Sequence, residues 1–185
     1  MTLNVTAPAG SVIAPHEIYS DAVAYAFGTS SLGHVLVAVT RQGICAILLG
    51  SDRERLIADL KRNFPVAHPA QDDEVPGDWI ARIVARIETP TIPFDLPLDL
   101  RGSDSDIKIW QALRTIPAGK TMSYSELAEH IGMKGAAKDV SEACAANRIA
   151  VAVPCHRIVR KDGSISGYRW GVSRKRALLK REGAI

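Results

Sequence analysis

SYSELAEHIGMKGAAKDVSEACAANRIAVAVPCHR, residues 123–157, is the stretch from which the rest of this 185-residue chain is read. Ser123-Tyr124-Ser125-Glu126 is a capping box. The serine hydroxyl can accept from the backbone three residues on while the glutamate reaches back, which opens a helix running to Ile131. Gly132-Met133-Lys134-Gly135 turns the chain, and Ala136–Ala146 returns to helical spacing. Two short helices across a glycine-bearing turn make a helix-turn-helix candidate. In the second helix Ala137, Val140 and Cys144 recur at i, i+3 and i+7, which predicts a core-facing stripe and a packing role for Cys144. The opposite face carries Lys138, Ser141 and Ala145, small enough in two places for a bulky partner to approach the backbone.

The stretch ends on Val153-Pro154-Cys155-His156-Arg157, after an apolar run from Ile149. A thiol beside an imidazole and a guanidinium is expected to have its pKa lowered towards neutrality, and the thiolate is the reactive form. Proline keeps the chain out of a helix just before the cysteine. Adjacent residues of a strand face opposite ways, so Cys155 and His156 can cooperate only if the chain turns or a water bridges them.

Further out, Ser103-Asp104-Ser105-Asp106 starts another helix, whose apolar face of Ile109, Trp110, Leu113 and Ile116 runs to Pro117. A last helix, about Ser173 to Glu182, sets Lys175, Leu178, Leu179 and Glu182 on one side. An inward carboxylate near a helix C-terminus is disfavoured by the dipole and needs a partner, for which His156 is the candidate. The first half reads differently. Val23–Thr29, His34–Thr40 and Ile44–Leu49 are short strands, with Cys45 packed inside the third. Asp52–Asn63 and Trp79–Ile87 are helices flanking a proline-punctuated loop, Pro65 to Pro76, and Pro90 to Leu100 is a linker with an extended piece. The domain reading is a loose leader over 1–20, an α/β domain over 21–98 and a helix-turn-helix domain with the reactive residues over 99–185.

The net charge of +3 hides an asymmetry. Residues 1–100 carry 7 Lys and Arg against 12 Asp and Glu, a net of −5, whereas residues 101–185 carry 16 against 8, a net of +8. A positive excess in the half that holds the thiol is what a polyanion-binding surface shows. Three widely spaced cysteines form neither a disulfide framework nor a zinc pattern, so the expectation is a reducing, cytoplasmic setting with no metal. No stretch reads as a signal peptide or a membrane span.

Four motifs in order carry a resemblance: Ile116-Pro117-Ala118-Gly119-Lys120-Thr121-Met122-Ser123-Tyr124, Ala143-Cys144-Ala145-Ala146-Asn147, Val153-Pro154-Cys155-His156-Arg157 and Ser166-Gly167-Tyr168-Arg169-Trp170-Gly171. Together they resemble the O6-alkylguanine-DNA alkyltransferases, most of all the C-terminal repair domain of bacterial Ada-type proteins. The likeness extends from about Ala24 and includes Arg41 to Gly50. It implies an α+β chain: a ribonuclease-H-like α/β domain, then a mainly helical, winged-helix-like domain with the helix-turn-helix. It also implies DNA repair by transfer of a methyl or larger alkyl group from O6 of guanine to Cys155. That step is a single irreversible SN2 reaction after nucleotide flipping, with no cofactor; the resemblance leaves O4-alkylthymine open as a second substrate.

By the same resemblance His156 acts as base through a water, Glu182 orients and charges it, Tyr124 assists departure of the flipped guanine, and Asn147 braces the turn before the reactive residues. Val153, Pro154, Gly167, Tyr168, Arg169 and Trp170 wall the guanine pocket. Ser123, Ala136, Lys138, Ser141, Ala145 and Arg148 contact double-stranded DNA from the minor groove, with the protein a monomer and no membrane involved. Two positions depart from the family pattern. Lys138 stands where the family has an arginine finger, and lysine lacks the planar group that stacks and bonds bidentately. Ser105 stands where the family's first long helix carries an aromatic anchor. Three other readings compete: a non-repairing binder of alkylated guanine, which lacks the acceptor cysteine; a major-groove regulator, which uses longer polar side chains than Ala136–Ala146 offers; and a cysteine hydrolase, which needs turnover and an oxyanion hole.

Overall fold

The structure, a computed structural model, describes residues 22–71 and 74–185. The leader assigned to 1–20 lies outside the described residues. The first half builds a small sheet from β1 (Ala24–Ser30), β2 (Gly33–Thr40), β3 (Gly43–Gly50) and the two-residue β4 (His68–Pro69), in the order β3-β2-β1-β4. The first three pair antiparallel through tight turns, and β4 adds parallel to β1. From Val35 to Val39 and from Gly43 to Leu49 every residue is buried. That explains why these strands read as near-continuous apolar runs rather than as alternation.

Two helices cover the sheet. α1 (Arg53–Asn63) is capped by Asp52 and buries Leu56 and Leu60, packing on β2 and β3. α2 (Gly77–Glu88) buries Ile83 and Ile87 and packs on β1. Gly28 is there because α2 crosses so closely: a Cβ at that position would lie 2.6 Å from the Ile80 side chain.

The second half is helical. α3 (Asp104–Thr115) and α4 (Tyr124–His130) both open with complete capping boxes, at Ser103/Asp106 and Ser123/Glu126. α5 (Ala137–Ala146) follows the turn after α4 and packs against α4 and α3, so the helix-turn-helix predicted from residues 123–146 is present. α6 (Val172–Arg181) ends the fold, and Glu182 is its C-cap. A short parallel ladder joins β5 (Met122–Ser123) to β6 (Ile158–Val159).

The two halves meet along the outer edge of β3. Ile44 exchanges backbone bonds with Pro97 and Asp99, and Ile47 does so with Arg148 and Ala150. The segment read as a linker is therefore pinned to the sheet. Asp99 is buried and accepts from Thr40 Oγ1 and Arg101 Nε, each at 2.8 Å. The apolar run Ile149–Val153 is not a strand. It makes one bridge to Ile47 and then turns through Val151, whose φ of 59° is an outlier for a β-branched residue. Among the described residues no helix is long and apolar enough to cross a membrane.

Candidate active site

Cys155, His156 and Arg157 form a single 3-10 turn between the strained turn at Val151 and β6. The turn resolves the facing problem set by two adjacent reactive residues. Cys155 lines one side, a cavity of about 310 Å³, while His156 and Arg157 reach Glu182. All three side chains of the turn are buried.

Glu182 is the hub beneath the turn. His156 Nε2 donates to its Oε1 at 2.9 Å, and Arg157 forks onto both oxygens, Nη2 to Oε1 at 2.8 Å and Nε to Oε2 at 3.0 Å. Burial works to raise the Glu182 pKa, but the hydrogen bonds from His156 and Arg157 and the charge of the guanidinium outweigh it and hold the carboxyl down at about 2. The dipole at the end of α6 disfavours a carboxylate there, and this double partnership offsets it. His156 behaves the other way. Burial lowers its pKa against the pull of Glu182, so the resting imidazole is neutral rather than charged by the carboxylate. With Nε2–H committed to Glu182, the neutral ring leaves Nδ1 as an acceptor, and that atom is buried without a partner among the described residues. A histidine oriented by a carboxylate and bare on its other nitrogen is built to accept a proton.

The expectation of a Cys155 thiol with a lowered pKa is corrected. Burial raises it above the ordinary value, with Asn147 and Lys175 pulling the other way. The neighbours in sequence do not offset that burial: the Arg157 guanidinium turns towards Glu182 and is balanced there, and the neutral His156 turns the same way. Asn147 is fully committed to holding the loop. Its Nδ2 donates to Val153 O at 2.9 Å and to Cys155 Sγ at 3.2 Å, and its Oδ1 accepts from Ile149 N at 2.9 Å.

Tyr124 opens α4 at the cavity wall, and its hydroxyl donates to Ser166 Oγ at 2.8 Å. Ser166 in turn accepts from Lys175 Nζ at 2.8 Å. Lys175 is 1% exposed. Its helical phase, shared with Leu178, Leu179 and Glu182, is the sequence signal for an inward ammonium that needs acceptors. The fork of Arg157 onto Glu182 has no such local signal. Gly119 has φ 81°, and a Cβ there would lie 2.9 Å from Glu182 O, so the Pro117–Lys120 turn closes against the hub only with glycine.

The predicted pocket residues divide. Gly167, Tyr168 and Arg169 line the Cys155 cavity. Tyr168 stands edge-on to His156 (centroids 6.4 Å apart) and to Trp170 (5.1 Å), and Trp170 itself is buried behind it. Arg169 forks onto Asp59 of α1 at 2.9 and 3.0 Å, tying the loop to the first half. Val153 is buried in the core, and Pro154 lines a different cavity. Cys144 packs against the core, as its spacing predicts, and it also lines the same hollow as Cys155. The buried face of α5 is centred on Val140 and Ala143, which puts Cys144 at its edge.

The predicted DNA-contact residues also separate. Lys138, Ser141 and Ala145 are exposed on one face of α5, and Ser141 and Ala145 rim the cavity. Ala136 is the half-buried N-cap of that helix. Ser123 is buried and its hydroxyl caps α4, so its side chain is not presented at the surface. Arg148 turns away, bonding Arg101 O and lining a hollow beside Phe64.

Comparison with known proteins agrees with this geometry. Residues 104–184 match the family model described as "6-O-methylguanine DNA methyltransferase, DNA binding domain". The chain is 50% identical over 161 residues to the bifunctional transcriptional activator/DNA repair enzyme Ada of Escherichia coli, covering 87% of this chain and 46% of that protein. It therefore spans about half that relative's length. It is 34% identical over 159 residues to the methylated-DNA–protein-cysteine methyltransferase of Candida albicans, covering 80% of this chain and 90% of the relative. The crystal structure of Mycobacterium tuberculosis OGT in complex with DNA superposes with a TM-score of 0.69 at 32% identity, covering 88% of this chain and 93% of that one. On identity, coverage and fold together, this chain belongs to the methylated-DNA–protein-cysteine methyltransferase family.

Proposed function

We propose that this protein repairs DNA by moving the alkyl group of an O6-alkylguanine onto Cys155. The observation that carries the reading is the order Glu182–His156–bare Nδ1 beneath a turn whose cysteine lines a cavity with Tyr124. In the step, the thiol proton passes through a water to His156 Nδ1 and the sulfur attacks the alkyl carbon. The S–C bond forms as the C–O6 bond breaks, and Tyr124 supplies a hydrogen bond or proton to the departing guanine. Imidazolium formed this way is stabilised by Glu182, which is ionised throughout the neutral range. The product is a thioether, which no group in the site reverses, so each molecule acts once. O4-alkylthymine fits the same chemistry.

An alkylated O6 is not reachable in a stacked duplex, so the nucleotide flips into the cavity at a cost of a few kcal/mol, offset by phosphate contacts from the basic half. The exposed face of α5, with Lys138, Ser141 and Ala145, enters the minor groove of double-stranded DNA, where short side chains permit close approach. Ala136 flanks that face at the start of the helix. The protein acts as a cytoplasmic monomer. Its architecture is a ribonuclease-H-like α/β domain over 21–98 joined to a winged-helix-like domain over 99–185, and the similarity to the Mycobacterium tuberculosis structure supports the overall arrangement.

The test is intact-mass analysis after incubation with an O6-methylguanine duplex. A stable gain of one methyl, mapped to Cys155 and absent from Cys155→Ala, is expected. Methyl found on Cys45 or Cys144, or a folded protein that gains none, overturns the reading.

A further inference from the structure

A second cavity, of about 370 Å³, lies behind the reactive turn. Arg86, Arg114 and Arg157 line it, with Gln111, Phe94 and Pro154. It shares no lining residue with the Cys155 cavity, Pro154 facing one and Cys155 the other. Among the described residues no Asp or Glu lines it. Several guanidinium groups around one hollow repel each other unless an anion sits among them.

The three arginines differ in how far they are already satisfied. Arg157 is balanced by Glu182. Arg86 donates from Nη1 to Ile92 O, and its pKa is lowered by burial and by the charge on Arg157, with Glu182 opposing. Arg114, exposed in the last turn of α3, makes no hydrogen bond or ion pair with any described residue. One cation is thus unpartnered, a second feels mainly another cation, and the carboxylate nearby is used from the other side.

We propose that this pocket binds a phosphate group, held by the fork of Arg114 and by Arg86, with the Gln111 amide as a neutral donor. Guanidinium forks match phosphate oxygens bidentately, and the tetrahedral oxygens of a phosphate, a monoanion in the DNA backbone and close to a dianion when free, can face more than one fork at once. Phe94 and Pro154 give the site an apolar flank. Two sources offer this chemistry, a backbone phosphate of duplex DNA and a free phosphate. Either would seat against the residue preceding Cys155, on the side away from the nucleophile.

The experiment uses the full chain, titrated calorimetrically with inorganic phosphate at ionic strength held constant with chloride. An unmodified duplex is titrated in parallel over a range of salt. Arg114→Gln is the informative variant, since an exposed, partnerless side chain carries no folding role; Arg86→Gln is the second. Saturable phosphate binding, weakened about tenfold by Arg114→Gln with duplex affinity unchanged, supports a free-phosphate site. Weaker duplex binding in Arg114→Gln, with the slope of log affinity against log salt smaller by about one, assigns the pocket to a DNA phosphate. Phosphate taken up no better than chloride, together with an unchanged duplex affinity and slope, overturns the proposal. Saturable phosphate binding that both substitutions leave untouched also overturns it.

Discussion

Glu182→Gln removes the charge at the centre of the buried cluster and leaves its shape. In the wild-type protein the carboxyl, 1% exposed, faces His156 and Arg157 side chains that are 2% and 4% exposed. Its pKa of about 2, against an ordinary 4.5, corresponds to about 3 kcal/mol of stability by linkage. Breaking a buried pair by removing one partner costs about 3–5 kcal/mol. The expected loss at pH 7 is therefore about 3 kcal/mol, or about 6–12 °C in Tm for a chain of this size. Because the folded pKa lies below the unfolded one, this contribution is complete above about pH 4.5 and disappears as the pH falls towards about 2. Urea unfolding of both proteins should show the gap at pH 7 and its closure across that acid window.

The same substitution acts on chemistry through the histidine. If the new amide turns its oxygen to Arg157, its N–H₂ meets His156 Nε2–H, donor against donor. The ring relieves this by moving its proton to Nδ1, which removes the acceptor the proposed proton transfer needs. General-base catalysis is worth about 10²- to 10⁴-fold, so single-turnover methyl transfer should slow by at least about 100-fold. Glu182→Gln within about 0.5 kcal/mol of wild type at pH 7, with unchanged transfer kinetics, would refute both arguments; normal stability alone would refute the burial argument.

Three further substitutions have expected outcomes. Asn147→Ala removes the three hydrogen bonds that hold the loop, and leaves Ile149 N–H without its acceptor; at about 1–3 kcal/mol per buried unpaired group, unfolding should show a loss of about 2–4 kcal/mol. It also strips the Cys155 sulfur of a donor, so the thiol's pH profile of alkylation by a small reagent should move upward. Gly119→Ala places a methyl against Glu182 O at a positive φ and should cost about 1–3 kcal/mol in denaturant unfolding. Lys138→Arg, on an exposed side chain whose one ion pair is Glu142 at 3.6 Å, should tighten duplex binding or speed repair; identical affinities and rates would remove the idea that a planar cation is missing there.

What the sequence made legible is what local chemistry determines. Both capping boxes, at Ser103 and Ser123, are formed with the predicted partners three residues on. The hairpin turns at Gly33 and Gly43 both take positive φ. The Glu182–His156 contact was foreseen because an inward carboxylate at a helix end demands a partner. What stayed hidden depends on distant partners. The fork of Arg157 onto Glu182 spans 25 residues, and β5 pairs with β6 through two residues on each side, too short for any periodicity. Cys144 packs on the core as its spacing predicts, but its place on the rim of the Cys155 cavity depends on the exact helical phase. Spacing alone fits a stripe centred on Val140 and Cys144 as well as one centred on Val140 and Ala143, and the packing of α5 against α3 selects the latter.

The thiol's raised pKa bears on how a nucleophile that, on the proposed reading, acts once is kept. A cysteine held as thiolate in the free protein would be open to every small electrophile and oxidant able to enter the cavity. Here burial keeps Cys155 protonated, while the groups that favour ionisation are held ready: Asn147 on the sulfur, Lys175 across the Ser166 contact, and His156 with an open Nδ1. On the proposed reading, the thiol loses its proton only when an occupant completes the cavity and the attack itself stabilises the charge. The two neighbours are then turned onto Glu182 for a reason. Turned towards the sulfur, the Arg157 guanidinium would favour the thiolate at all times; turned towards Glu182, it leaves ionisation to the proposed proton path through His156. The 3-10 turn is the backbone device that separates the two cases, since it lets consecutive residues serve the cavity and the hub at once.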